Sequence, residues 1–238
     1  MITVHHLNNS RSQRVLWLLE ELGVTYEIRR YERDANTMLA PPELLAVHPL
    51  GKSPVITDGT LTVAESGAIV EYLVATYGNG RLIPPPGTPE CLRYIYWLHF
   101  AEGSAMPPLV MKLIFDRIKS TPLPWPASAV ARRIADRVLD SFVMPNIARQ
   151  LNFMEAELAG RDWFAGADFT AADIQMSFPL EAAANRVGAG VGAARQSAAR
   201  PGAVLPIAAR PGLSAFLERV HARDAYRRAL QRGGPYAF

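Results

Sequence analysis

Hydrophobic and polar positions alternate between two periods in the first eighty residues, then settle into one. Ile2 to His6 is a short run rich in β-branched residues and reads as a strand. The polar loop Leu7-Asn8-Asn9-Ser10-Arg11-Ser12 follows. Val15, Leu18, Leu19 and Leu22 recur at i, i+3, i+4 and i+7, one face of a helix, and Gly23 stands where a left-handed residue would end it. Tyr26 to Tyr31 reads as a second strand, and after Pro41-Pro42 a short helix spans Glu43 to Val47. Pro54 opens an apolar run to Thr57, at a strand's first residue or on an edge, because proline cannot donate to a ladder. Asp58-Gly59 marks a tight turn, and Leu61 to Ala64 alternates as a half-buried return strand does. A helix then runs from Glu65-Ser66-Gly67 to about Tyr77.

This order makes the first two strands parallel, joined by a helix, and the last two antiparallel, joined by a hairpin. The result is a mixed four-stranded sheet over residues 1–79, a thioredoxin-like α+β arrangement. Residues 80–89 lie in a stretch rich in proline and glycine and read as a linker. Residues 90–238 are helical in pattern, an all-α second domain. Glu90 to Glu102 is apolar nearly all round and is expected to be central and buried, with a break at Pro107-Pro108. Leu109 to Lys119 continues it. Pro122, Pro124 and Pro126 form a stiff loop, and Pro145 kinks a helix that ends near Leu158. Thr170-Ala171-Ala172-Asp173 approximates a capping box for a helix to about Asn185. Val187 to Arg210 has weak periodicity and reads as a flexible loop. Leu213, Phe216, Leu217 and Val220 mark one more amphipathic helix, with a short turn near Tyr226 to Leu230 and an irregular tail from Gly233.

Composition narrows the function. Apolar residues are 49% and charged residues 20%, ordinary values for a globular protein, and the formal charge is only +3. No basic cluster interleaved with aromatics argues for nucleic acid. No apolar run approaches the ~18 residues of a membrane span, and the N-terminus has no signal-peptide pattern, so a cytoplasmic protein without a membrane partner is expected. The lone Cys91 permits neither an internal disulfide nor a cysteine-based metal site. His5, His6 and His221 show no metal-ligand spacing and receive no role; no metal or resident cofactor is expected.

Candidate chemistry gathers at two helix starts and one strand start. Ser10 lies between the first strand and first helix, where a hydroxyl can meet a ligand above the sheet. Ser10-Arg11-Ser12-Gln13 also fits a capping box, and the two roles are compatible. Asn9 and Ser12 are competing donors. Ahead of a cis Ser53-Pro54 bond the backbone of Ser53 would be free to grip an extended peptide. Ser66 and the adjacent amides of a helix N-terminus suit a carboxylate, and Glu65 suits an ammonium group. Lys52 is either a solvated lysine or the partner of a second carboxylate.

The succession Ser10…Arg14-Val15, Gly51-Lys52-Ser53-Pro54-Val55, then Glu65-Ser66 closely resembles the glutathione S-transferases. The helical half extends the match through Thr170-Ala171-Ala172-Asp173 and Ala208-Ala209-Arg210-Pro211-Gly212-Leu213 to Tyr226. The nearest likeness is to serine-type bacterial and fungal members and, more loosely, to the theta and phi classes. The resemblance implies that Ser10 hydrogen-bonds the glutathione sulfur, with Asn9, Arg11 and Ser12 beside it. It implies that Lys52, with His48 or another basic side chain nearby, meets the glycyl carboxylate. Ser53, ahead of Pro54, would pair with the cysteinyl unit, and Glu65 and Ser66 would hold the γ-glutamyl end. The electrophile pocket would draw on Tyr94, Trp97, His99, Phe100, Met106 and Phe115, with about two of these six touching substrate and the rest in the core. Glutathione enters as co-substrate. The partners implied are a small hydrophobic electrophile and a second copy of the chain, in a homodimer formed by the helix after Ser66 and the helix containing Tyr94.

The implied activity is conjugation of the thiolate to hydrophobic electrophiles, with reduction of organic hydroperoxides beside it. Two alternatives stand: a non-enzymatic ligand-binding or interaction protein of this fold, and a glutathione-dependent disulfide reductase that uses no enzyme cysteine. No cysteine or tyrosine occurs from Asn8 to Ser12, which argues against an enzyme-thiol mechanism and a tyrosine-type site at that position.

Overall fold

A computed structural model describes residues 1–34, 37, 39–187, 204–234 and 236. Strand β1 is Ile2–Leu7, helix α1 is Ser12–Leu22 and strand β2 is Tyr26–Tyr31. A single 3₁₀ turn at Pro42–Leu44 follows, then β3 (Val55–Asp58), β4 (Leu61–Ala64) and α2 (Ser66–Tyr77). The sheet order is β2-β1-β3-β4. β1 runs parallel to β2 in the register Ile2 to Tyr26, and antiparallel to β3 in the register His5 to Val55. The expected mixed four-stranded sheet is therefore present.

The hairpin is set by Gly59, at φ +58°, between the paired residues Asp58 and Leu61. A positive φ at the first central residue matches the twist of the flanking strands, and glycine adopts it without steric cost. β3 is an interior strand, and Pro54 stands just ahead of its first paired residue, where no ladder bond is lost. β4, the edge, is short, with Leu61 and Thr62 exposed rather than alternating between core and solvent.

The chain divides into two compact units. The first comprises Met1–Leu98, Trp163–Phe178 and Glu218–Phe238; the second comprises His99–Asp162 and Pro179–Leu217. The division does not fall at the proline-rich linker. Arg81 donates to the carbonyl of Leu22 at 2.7 Å, the amide of Ala171 donates to Leu82 at 2.9 Å, and Arg93 donates to Phe164 at 2.9 Å. These bonds hold the linker and the start of helix α3 (Pro89–Phe100) in the first unit.

In the first unit, Ile2, Val4, Val55 and Ile56 of the sheet are buried, as are Val15, Leu16, Leu18 and Leu19 of α1 and Ile69, Val70 and Leu73 of α2. α1 is buried well beyond the predicted stripe: Ser12, Gln13 and Arg14 are also covered. Arg14 donates to the carbonyl of Gln175 at 2.6 Å and lies over the ring of Phe178. Asp173, completely buried, accepts from the amide and hydroxyl of Thr170 at 2.8 and 2.9 Å and from the amide of Phe164 at 2.8 Å. The predicted cap is thus a junction that also fixes the loop before helix α7 (Ala171–Arg186).

α3 is not buried all round. Tyr94, Trp97 and Leu98 are covered, whereas Leu92, Ile95 and Tyr96 are exposed. Pro107-Pro108 does not break the helix either. A π-helical turn, Ala101–Ala105, leads into α4 (Met106–Ser120), and a second, Leu139–Val143, joins α5 (Ala127–Val138) to α6 (Met144–Glu157). In each case a proline stands in the first turn of the following helix. A proline deprives the preceding turn of an amide donor, and a wider turn carries the chain past its ring.

The expected flexible loop over Val187 to Arg210 lies outside the described residues from 188 to 203; a 3₁₀ turn occupies Ile207–Ala209. Helix α8 is Pro211–Ala222. The short turn expected near Tyr226 is a full helix, α9 (Asp224–Gly233). Its arginines clamp α1: Arg223 pairs with Glu21 at 2.6 Å, and Arg228 and Arg232 pair with Glu20 at 2.9 and 3.0 Å.

Candidate active site

The site is built at the end of β1, the start of α1, the start of β3 and the start of α2, all within the first unit. Extending the sheet register past its last pairs brings Ser53 opposite Leu7 on one side and Ser66 on the other. The Ser53-Pro54 bond is cis, as expected. Ser53 precedes the paired stretch of β3, so its main chain stands beyond the ladder.

Three hydroxyls meet there. Ser10 Oγ lies 2.7 Å from Ser12 Oγ and 3.4 Å from Ser53 Oγ, and accepts the amide N–H of Ser12 at 3.2 Å. Ser10 Oγ thus serves the first amide of α1 from one residue ahead of the N-cap Arg11, which makes no side-chain cap bond, and Ser10 is buried rather than open above the sheet. The expected capping box is not formed: the amide of Gln13 donates to the backbone carbonyl of Ser10 rather than to its hydroxyl, and the side-chain amide of Gln13 finds no partner among the described residues.

The direction of these bonds follows from His6, a residue given no role from sequence. Its Nδ1 lies 2.8 Å from Ser12 Oγ. Burial is the main cause that lowers its pKa to about 4, so the ring is neutral at pH 7. Nε2, on the other side of the ring, faces Gly233. Ser12 Oγ also lies 3.4 Å from the carbonyl of Leu7, so in either tautomer of the ring its proton meets a fixed acceptor, Nδ1 or that carbonyl. Ser53 Oγ donates to the carbonyl of His5 at 3.1 Å. Two of the three hydroxyl protons are thereby committed to fixed acceptors. That of Ser10 faces only other hydroxyls.

Gly233 permits this contact. A Cβ there would fall 2.6 Å from Gln13 Oε1 and 2.9 Å from Leu16 Cδ1, so a larger residue would push the end of α9 off α1. No sequence spacing signals the link, because Gly233 comes from the opposite end of the chain.

The remaining predicted residues fall into groups. Lys52 and Glu65 are exposed and Ser66 is buried, and none of the three side chains has a partner among the described residues. Glu65 adopts φ +74° at the N-cap of α2 and makes no side-chain cap bond. A non-glycine residue there costs on the order of 1 kcal/mol or more. Asn9 is exposed at φ +49°, and Arg11 lies over the ring of Phe178. His48 turns inward on its own loop, where its Nδ1 accepts the amide of Leu50 at 3.4 Å. Of the aromatic candidates, Tyr94 and Trp97 are in the core of the first unit, with Trp97 packed on Phe164 at 4.5 Å between ring centres. In the second unit Met106 is buried, Phe100 packs on Phe153, Phe115 is half-buried and His99 is exposed. His5 bonds Tyr31 Oη at 2.9 Å, and His221 lies against the Tyr226 ring. Among the described residues no group of three or more His, Cys, Asp or Glu could hold a metal, and no helix is long and apolar enough to cross a membrane.

Comparison with known proteins agrees with this architecture. Residues 1–75 match the model of the glutathione S-transferase N-terminal domain, and residues 139–224 match that of the C-terminal domain. Glutathione S-transferase 1 of Saccharomyces cerevisiae is 36% identical over 193 residues, 78% of this chain and 82% of that protein. Glutathione S-transferase 3 of Schizosaccharomyces pombe is 39% identical over 184 residues, 77% of this chain and 74% of that one. A crystal structure of a glutathione S-transferase from Actinobacillus pleuropneumoniae superposes with a TM-score of 0.74 at 30% identity, covering 98% of this chain and 93% of the other. With the paired domains, the mixed sheet and this degree of identity over most of its length, the chain belongs to the glutathione S-transferase family.

Proposed function

We propose that this enzyme binds glutathione along Ser53, stabilises its thiolate through Ser10, and transfers the sulfur to hydrophobic electrophiles. The observation that carries the proposal is the uncommitted proton of Ser10 in a cluster where Ser12 and Ser53 donate elsewhere. A neutral hydroxyl is a modest acceptor. A thiolate arriving beside Ser53 is a stronger one, and the Ser10 proton turns to it. The amide of Ser12, already donating to Ser10 Oγ, strengthens that donor. A free thiol with pKa ~8.5 is only a few per cent ionised at pH 7, and a lowering of ~2 units, about 2.7 kcal/mol, makes the thiolate predominant.

Lys52, Glu65, Ser66 and the first amides of α2 supply the ends of the site. Their side chains have no partner among the described residues, which suits them to a ligand carrying two carboxylates and one ammonium. In the conjugation step a carbon–sulfur bond forms as the leaving group departs with the bonding pair. With an organic hydroperoxide the sulfur takes the distal oxygen, an alcohol leaves, and a second glutathione yields the disulfide and water. Glutathione is consumed, and no resident cofactor enters either reaction.

The enzyme is proposed to work as a homodimer in the cytoplasm. Leu92, Ile95 and Tyr96, at i, i+3 and i+4 on α3, form an exposed apolar stripe suited to a second copy. The test of the assigned chemistry is Ser10→Ala. Turnover with an aromatic halide should fall roughly 10- to 1,000-fold, the effect of losing one anion-stabilising donor. Unchanged turnover would remove Ser10 from the mechanism.

A further inference from the structure

Helices α4 and α5 of the second unit carry a set of exposed apolar and basic side chains. Helices α4 and α5 are joined by residues 121–126, every one of them exposed. At the tip stands Trp125, 84% exposed, with Leu123 beside it, between Pro122, Pro124 and Pro126. On the solvent side of α4 lie Leu113, Ile114 and Ile118; on that of α5 lie Val130 and Ile134. Interleaved with them are arginines. Helical spacing sets Arg117 on the same face as Leu113 and Ile114, and Arg133 and Arg137 on the same face as Val130 and Ile134.

The hairpin is itself basic. Residues 112–137 contain six basic and two acidic side chains, so this hairpin alone is +4 in a chain of +3. Both acids are already paired, Asp116 with Lys112 at 2.5 Å and Asp136 with Lys119 at 2.6 Å. Arg117, Arg132, Arg133 and Arg137 have no ion pair among the described residues. An apolar face laced with unpaired arginines and tipped by tryptophan has the chemistry of an element that lies in a membrane interface. The aliphatic groups enter the acyl boundary, the guanidinium groups reach the phosphates, and the indole sits at headgroup level. A second copy of the chain is disfavoured on this face, because two such hairpins would bring together like charges.

We propose that the α4–α5 hairpin docks this enzyme reversibly on an anionic lipid surface, with Trp125 inserted at the interface. The hairpin lies on the bilayer and does not cross it. The test is co-sedimentation of the full chain with vesicles of phosphatidylcholine alone or with about a third phosphatidylserine, at low and physiological salt. The expected result is binding to the anionic vesicles only, weakened by salt. Arg133→Gln with Arg137→Gln should lower the affinity by about fivefold for each arginine removed. Trp125→Ser should lower it further, and brominated lipid should quench the fluorescence of the parent protein more than that of this variant. All three residues are exposed, so transferase activity of each variant in solution should match the parent. No binding to anionic vesicles at low salt would overturn the proposal. So would binding that the arginine and tryptophan variants leave unchanged. It would equally be overturned if Ile134→Asp converted an oligomer to a monomer, since a second copy would then occupy the face. None of these outcomes depends on Ser10.

Discussion

Ser12 Oγ lies 2.8 Å from Nδ1 of His6, and this contact decides which of two neighbouring serines can serve a ligand. Because Ser12 gives its proton to the ring or to the carbonyl of Leu7, it cannot also give it to sulfur. Ser12→Ala should therefore keep the thiolate and lose no more than a few-fold in turnover. Its cost should appear in stability, at about 1–2 kcal/mol, from the buried ring nitrogen left without a donor. Parallel kinetics of Ser10→Ala and Ser12→Ala check this; a larger loss in Ser12→Ala would exchange their roles.

The same imidazole shapes the dependence of stability on pH. Unfolded, it takes a proton near pH 6.5; folded, chiefly because it is buried, only near pH 4. Its contribution is complete above pH 6.5 and is lost as pH falls toward 4, at about 1.4 kcal/mol per unit. Asp173 works in the opposite sense. Burial raises its carboxyl from 3.8 to about 6, against the bonds it accepts from Phe164 and Thr170, so its contribution falls as pH rises from 3.8 to about 6. Between pH 4 and 6 the two slopes oppose each other. In urea unfolding across that range, His6→Asn should make stability rise less steeply with pH than in the parent. Asp173→Asn should make it rise more steeply.

Asp173→Asn should also be costly at every pH. Both carboxylate oxygens accept from N–H or O–H donors, so the amide would turn an NH₂ group toward a donor whichever way it points. A loss of about 2–4 kcal/mol is expected, several degrees in melting temperature for a chain of this size. Thermal unfolding at pH 7 measures it, and a shift under one degree would show that the junction is dispensable.

The apolar stripe on α3 carries a separate expectation. Leu92 and Ile95 are 70% and 45% exposed, so a charge there should do little to a single chain. Leu92→Asp with Ile95→Asp should convert a dimer to a folded monomer in light scattering with an unchanged circular dichroism spectrum. An unaltered mass would place the dimer contact elsewhere.

Local chemistry made most of the first eighty residues legible. β2, β4 and α2 have the limits their patterns predict, because a period, a Gly59 turn and a helix start each act within a few residues. Ser10, Ser53 and Ser66 could be singled out for the same reason. What escaped the sequence depends on contacts between distant segments. Arg14 looks like a solvated residue until Phe178 and the carbonyl of Gln175 cover it. His6 looks idle until Ser12 meets its ring and the end of α9 packs beside it. α3 looks like a buried helix because its composition does not record that one apolar face is left uncovered. α9, rich in arginine, looks like a tail until Glu20 and Glu21 meet it.

The most direct measurement is the pKa of the thiol of bound glutathione, followed by thiolate ultraviolet absorbance in the parent and in Ser10→Ala. The parent should hold the thiol about 2 units below the free value of ~8.5, and Ser10→Ala should return it most of the way. The same low pKa in both proteins would contradict the assignment of Ser10 as the donor to sulfur.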